Sequence, residues 1–207
     1  MAEANCWPSI KQHGLLSTTV LLDLFEIKGE KRLLLESQHR PESVVIRHPK
    51  FGIAVVRDQK PMRESALKKC LSGMNPAEWY ETLNKQVFFW LTPERVQTLL
   101  TARAYRGRKH TVLSVDTAAL LRRHLARVRL SPINSGSTIY NPQPRGPDTF
   151  QEMRDYPFEK RRKLRGLANA VAELAVHYAV PDISELVVRV EHRTGNKVLE
   201  IIYPTSR

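Results

Sequence analysis

Proline and glycine cut this chain into short segments, and that punctuation limits what it can become. Thirteen prolines and nine glycines interrupt 207 residues. Between the breaks the side-chain pattern switches from a helical period to short β-branched runs, with no regular strand–helix–strand rhythm. A doubly wound parallel sheet needs that rhythm. The expectation is therefore an α+β fold, one domain over residues 1–207. No apolar run approaches the roughly 20 residues that span a bilayer, so no membrane contact is expected.

The segments have distinct characters. Residues 7–16 read as a short helix that stops at Gly14, with Pro8 in its first turn. Ser17, Thr18 or Thr19 caps a second helix over 19–27, ended by Gly29, and 31–37 add a turn or two. Val44–Ile46 and Ile53–Val56 are short β-rich runs. Residues 62–71 are helical in pattern, and Asn75-Pro76 opens a helix through Leu83. Val87-Phe88-Phe89-Trp90 is aromatic, β-branched and uncharged, which predicts a strand. Thr92-Pro93-Glu94 then starts a helix capped by Thr92, running to about Tyr105 and closed by Gly107. Thr111–Val115 is a strand, 118–124 a helix capped by Asp116 or Thr117, and Val128–Leu130 a further strand. Residues 131–157 carry repeated Pro and Gly and form a long loop, a feature that is usually functional or mobile. Residues 183–190 and 197–203 read as a closing hairpin around Thr194-Gly195-Asn196.

Charge narrows the class of partner. Thirty-three Lys and Arg against twenty-one Asp and Glu leave a net charge of +12. Such a field attracts phosphate-rich partners and says nothing direct about fold. The surplus is uneven. Residues 95–129 hold nine Lys or Arg against Asp116 alone, and 154–165 hold six against Asp155 and Glu159. The two stretches flank the Pro-rich loop. A groove between them would follow a nucleic-acid backbone, with Tyr140, Phe150, Tyr156 and Phe158 available for base stacking. Arg106, Arg108 and Lys109 cluster in a turn after a helix; with Arg145, Lys160, Arg161 and Arg162 they are the candidate nucleic-acid-binding residues. A solvated face with a flexible tail accounts for the same charge equally well.

The cysteines Cys6 and Cys70 sit in no CxxC and beside no His at ligand spacing, so no metal site is expected. A disulfide framework would need more of them, which makes a reducing cytoplasm the expected location. No basic region leads into an apolar one at the N-terminus, so no secretory signal is read.

Three separated segments resemble one group of proteins. Ile10 with His13-Gly14-Leu15-Leu16-Ser17 is similar to the opening of the DarT-type ADP-ribosyltransferases, which modify DNA. Val87-Phe88-Phe89-Trp90-Leu91-Thr92-Pro93-Glu94-Arg95 resembles the group's next signature, an aromatic strand leading to a Pro and an Arg at a helix start. Ala172-Glu173-Leu174-Ala175-Val176, followed by Val180-Pro181, resembles the strand that carries its catalytic Glu. Residues 40–85 look unlike DarT itself, so the chain resembles a separate branch of the same broad group.

The resemblance implies a split mixed β-sheet of ADP-ribosyltransferase type with peripheral helices, and NAD as substrate. It implies Glu173 as the catalytic residue, and Arg95, His13, Ser17, Phe88 and Trp90 about the NAD. It also implies a toxin or defence effector, with an antitoxin or inhibitor as a possible partner. DarT-type openings carry a His in the first strand. Counting back from Ser9-Ile10 puts that His immediately before Met1, so the strand is expected to be missing or cut short. His13 lies at a helix end and is not its equivalent by position.

The chemistry suits the residue types. Cleaving the nicotinamide–ribose bond builds positive charge on the ribose. A fixed carboxylate stabilises that charge and can take a proton from the incoming nucleophile. An Arg fork at a helix start matches a pyrophosphate. On propensity alone Leu167–Ala175 scores as helix, which would leave Glu173 an exposed helix residue; the resemblance selects the strand. Arg57-Asp58-Gln59-Lys60 at a strand end, and Asn134–Thr138 with its small side chains, are further places to line a site or merely to turn. Two other readings stand beside the transferase: a non-catalytic basic module for nucleic acid, and an RNA 2′-phosphotransferase, which also consumes NAD.

Overall fold

A computed structural model of the chain describes residues 1–204. The chain opens with β1 (Ala2–Glu3), α1 (Trp7–His13), β2 (Leu15–Leu16), α2 (Thr18–Leu24) and α3 (Gly29–Glu36). A hairpin, β3 (Val44–His48) and β4 (Gly52–Val56), precedes α4 (Glu64–Cys70) and α5 (Pro76–Asn84). Then come β5 (Gln86–Phe89), α6 (Pro93–Thr101), β6 (His110–Val115), α7 (Thr117–His124) and β7 (Val128–Ser131). After the Pro-rich segment and β8 (Gln151–Glu152) follow α8 (Phe158–Arg165), α9 (Leu167–Ala170), β9 (Glu173–His177) and β10 (Ala179–Val180). The described chain closes with α10 (Ile183–Leu186), β11 (Val187–Thr194) and β12 (Lys197–Tyr203).

The fold is α+β. Two four-stranded antiparallel sheets organise it, one in the order β1-β6-β11-β12 and the other β5-β9-β7-β8. One core joins them: Val87, Leu130, Leu174 and Val176 of the second sheet cluster with Val190 of the first, under Trp7, Leu120 and Ile183. A second core fills the space between α2, α3 and the β3–β4 hairpin, around Leu22, Phe25, Leu35, Ile46 and Val56. A third, with Met62, Leu67, Trp79, Tyr80 and Leu83, sits under α4 and α5. Among the described residues no helix is long and apolar enough to cross a membrane.

Local signals explain most element boundaries. Ser17 caps α2 by accepting from the Val20 N–H at 3.3 Å, and Asp116 caps α7 from Ala119 at 3.0 Å. Asn75 and Glu78 form a reciprocal capping box at the head of α5. Gly14 ends α1 at φ +85, where a Cβ would lie 2.6 Å from Pro181 Cα.

Several expectations are corrected. Gly29 is the first residue of α3 rather than the stop of α2. Thr92 stands at the head of α6 but its side chain makes no capping bond. That helix ends at Thr101, short of Tyr105, because Tyr105 is drawn inward: it is 4% exposed and its hydroxyl donates to Asp58 at 2.6 Å. Residues 183–186 are a helical turn, so the hairpin runs over 187–194 and 197–203. The chain's own first strand, β1, has two residues and pairs with β6.

Residues 173–177 are a strand, as the resemblance required, although their Ala-rich approach favours helix. Only Leu167–Ala170 follow that propensity, because β9 lies between β5 and β7 and its ladder satisfies both backbone edges.

The 131–157 segment is tied down at several points. Thr138 accepts from the Arg63 N–H at 2.6 Å and donates its own N–H to the Pro61 carbonyl at 3.0 Å. Arg145 exchanges backbone bonds with Cys70 and Ser72 at 2.9 and 3.0 Å. Gly146 passes so close to Ser72 that a Cβ would lie 2.3 Å from its carbonyl oxygen.

Candidate functional site

A cleft of about 950 Å³ lies between the two four-stranded sheets. One wall carries Leu113 and Ser114 of β6 with Glu191 and Arg193 of β11. The other carries Phe88, Phe89 and Trp90, with Glu173 at the start of β9. His13 and Gly14 close one side, Arg57 and Asp58 another, and Asn134–Gly136 cover Glu173. Volume and lining suit a small-molecule site: largely apolar and aromatic, with a few convergent polar groups.

Glu173 is 4% exposed. It pairs across to Ser131 in β7, and Leu174, Ala175 and Val176 behind it are fully packed. Burial among these groups is the main reason its carboxyl is pushed up to about 7. Ser135 moderates that rise: its backbone N–H donates to Glu173 Oε2 at 3.0 Å. The positive charges of Arg145 and Arg95 act in the same direction more weakly. A carboxyl with this balance exchanges protons near neutrality and fits general acid–base work.

The loop above Glu173 owes its shape to Arg145. That guanidinium donates to the carbonyls of Ser135 (2.9 Å), Ser137 (2.9 Å) and Gln143 (3.1 Å) and lies over the Trp79 ring. At 4% exposure it is withdrawn from the surface, so it is not placed to meet nucleic acid as its charge suggested. Burial lowers its affinity for its proton from the usual arginine value.

The structure separates the other expected cofactor residues. His13, Phe88 and Trp90 line the cleft; His13 also packs edge-on against Phe51 at 5.6 Å. Ser17 is 2% exposed, serves as the α2 cap and does not line the cleft. Arg95 lies outside the cleft as well. It bonds Asn169 at 3.0 Å and lines a second, smaller cavity of about 410 Å³ together with Arg165 and Tyr140.

The arginines of the main cleft are Arg40, Arg57 and Arg193. Arg40 is buried and bonds to the carbonyls of Leu35 and Arg57 and to Asn84; burial pulls its pKa down to about 10. Arg193 leans on Glu191 (3.6 Å) and Gln97 (3.2 Å). Arg57 is the least engaged, with Glu3 at 3.8 Å, His110 at 3.5 Å and the Tyr105 ring beneath it.

The expected basic groove is only partly there. Arg123, Arg127 and Arg129 are engaged with Asp182 and Glu185, with His124, and with Glu152. Arg108 pairs with Glu3 and Asp58, while Arg106 and Lys109 remain exposed beside it. On α8, Lys160 and Arg162 are exposed and Arg161 is half-buried over Tyr156. Of the four aromatic candidates, Tyr140 is 95% and Phe158 38% exposed. Tyr156 is buried with its hydroxyl on the Ala170 carbonyl, and Phe150 stacks on Trp79.

The sequence reading passed over Glu191 and Arg193, which it placed beyond the end of a strand. Their signal was alternation: Arg189, Glu191 and Arg193 recur at every second residue, marking one polar face. Glu191 joins the other two, with Arg189 at 2.7 Å.

Fold and site together define an α+β protein with a buried carboxylate set in the wall of a cleft between two antiparallel sheets. The chain belongs to a family of unknown function, DUF7002, whose model matches residues 1–187. The match ends where β11 begins, so Glu191 and Arg193 lie beyond it. No curated protein and no solved structure matches the chain.

Proposed function

We propose that this protein is an NAD-dependent ADP-ribosyltransferase acting on nucleic acid. The observation that carries the reading is Glu173: a carboxyl buried at the wall of a large, aromatic-lined cleft between two split sheets, held by a backbone N–H from the loop above it. The cleft's volume falls within the range of small-molecule and cofactor sites. Phe88, Trp90 and His13 offer faces to nicotinamide or adenine, and Arg57 offers the pyrophosphate a fork. Arg57 thereby takes the role that the resemblance gave to Arg95.

In the transfer the C1′–N bond to nicotinamide breaks, and its electron pair leaves with the now neutral ring. The acceptor atom forms the new bond to C1′. Its proton goes to Glu173, whose negative charge also faces the positive ribose before the bond forms. Glu173→Gln keeps the shape and the Ser135 contact and removes the base. With labelled NAD and nucleic acid, transfer falls by about 10²–10⁴-fold while NAD binding persists. A variant that transfers as well as the native protein overturns the reading.

A non-catalytic module for nucleic acid is the second reading, favoured by the exposed basic side chains of α8. It requires binding that NAD and Glu173 leave untouched. An RNA 2′-phosphotransferase would use the same cleft, and its cyclic phosphate-bearing product would distinguish it.

A further inference from the structure

We propose that the second cavity is a binding site for a single nucleic-acid strand, with a backbone phosphate between Arg95 and Arg165 and a base stacked on Tyr140. The cavity measures about 410 Å³ and is also lined by Asn134, Asn141 and Gln143.

The first ground is uncommitted charge. Among the described residues neither Arg95 nor Arg165 has a carboxylate within salt-bridge distance. Arg95 has one side-chain bond, to the neutral Asn169. Two arginines without a carboxylate partner lining one concavity attract an anion, and the oxygens of a phosphate can accept from both forks.

The second ground is Tyr140. The residue is 95% exposed, and both it and Asn141 sit at positive φ, 57 and 55. The left-handed conformation costs an ordinary residue about 1–2 kcal/mol. The backbone thus holds an aromatic ring out in water at the rim of an arginine-lined cavity. A free π-face beside cations is how single strands are bound without regard to sequence. Asn134 and Asn141, lining the same cavity, carry amide groups of the kind that pair with base edges.

The third ground is position. Arg165 is the last residue of α8, so the helix end stands at the cavity's edge. Asn134 lines both cavities, and Ala172 of the second immediately precedes Glu173 of the first. A strand seated here leads its next nucleotide to the catalytic carboxylate. The site thus rests on the transferase reading for its purpose, although not for its binding. A concavity this small admits a nucleotide from a single strand and excludes a duplex.

The test is fluorescence anisotropy with labelled twelve-nucleotide DNA and RNA strands, each alone and as a duplex, without NAD. Either strand binds at least tenfold more tightly than its duplex. Tyr140→Ala and Arg165→Ser each weaken strand binding about tenfold, Tyr140→Phe restores it, and the melting midpoints stay put. Lys31→Ser, exposed on α3 and outside both cavities, costs less than threefold. Glu173→Gln binds as the native protein does, so a failure of transfer chemistry leaves this result standing. Equal binding of duplex and strand, no loss in Tyr140→Ala, a loss in Lys31→Ser as large as in Arg165→Ser, or no binding of either strand overturns the proposal.

Discussion

The backbone N–H of Ser135 donates to Oε2 of Glu173 at 3.0 Å, across thirty-eight residues of chain. The same residue's carbonyl accepts from Arg145 at 2.9 Å. One peptide segment therefore joins a buried cation to a buried carboxylate. The loop that looked free in the sequence is a splint between them, and Glu173 keeps its aim through bonds made ten residues further on in the loop.

Arg145→Met tests the splint. Methionine fills much of the volume but leaves the carbonyls of Ser135, Ser137 and Gln143 without their donor. Each buried group left unpaired costs about 1–3 kcal/mol. The melting midpoint falls by about 6 °C or more in a calorimetric scan, at 2–4 °C per kcal/mol for a chain of this size. Arg145→Lys recovers less than half of that, because an ammonium cannot reach three carbonyls as a fork does.

Glu173 gives stability a pH dependence of defined sign. Its carboxyl lies near 7 in the folded protein against an ordinary value of 4.5. Between those limits the folded state holds a proton that the unfolded chain has released. Stability is fully present below 4.5 and falls as pH rises toward 7. Glu173→Gln removes the titration. Measured by denaturant melts, the variant matches the native protein at pH 4.5 and exceeds it at pH 8. A variant less stable than the native protein at pH 8 instead places the group's pKa below its ordinary value.

Much of this was legible in the sequence, for local reasons. The capping residues Ser17, Asn75 and Asp116, the aromatic run at 87–90 and the stop at Gly14 each act through neighbours a few residues away. What stayed hidden depends on distant partners. Arg145 reads as surface charge until Ser135, Ser137 and Gln143 gather around it. Arg95 sits at a helix start as expected, yet it lines the other cavity, while Pro93 and Val96 of the same helix line the cleft. Tyr105 ends α6 early because Asp58, far back in the chain, holds its hydroxyl. Glu173 was found through resemblance; propensity pointed to a helix, and only pairing with β5 and β7 makes it a strand.

Gly14 is a position where no side chain fits. Its backbone stands at φ +85, ψ 172, a region open to glycine, and an added Cβ would meet the Pro181 backbone at 2.6 Å. Strain of this kind costs about 1–3 kcal/mol before any clash is relieved. Gly14→Ala therefore lowers the midpoint by about 2–12 °C. It also pushes β2 and β10 apart at the cleft's edge, so any ligand of the cleft binds more weakly to the variant. Equal midpoints for variant and native protein show that the Pro181 contact yields without cost.

Arg57 and Arg95 make opposite predictions for NAD. Arg57 lines the main cleft and is held only loosely, by Glu3 at 3.8 Å and His110 at 3.5 Å. Partly exposed pairs of that length contribute about 1 kcal/mol or less, so Arg57→Ala folds normally. Arg95 opens onto the second cavity, away from the aromatic walls. A ligand at a hundred times its Kd stabilises the native state by about 2.7 kcal/mol, which raises the midpoint by about 5–10 °C. NAD gives that rise in the native protein and in Arg95→Ala. In Arg57→Ala the rise is lost, because the other arginines that line the cleft among the described residues, Arg40 and Arg193, are already bonded to protein groups. Loss of the rise in Arg95→Ala, with Arg57→Ala unaffected, would move the dinucleotide to the second cavity and Glu173 away from its reacting bond.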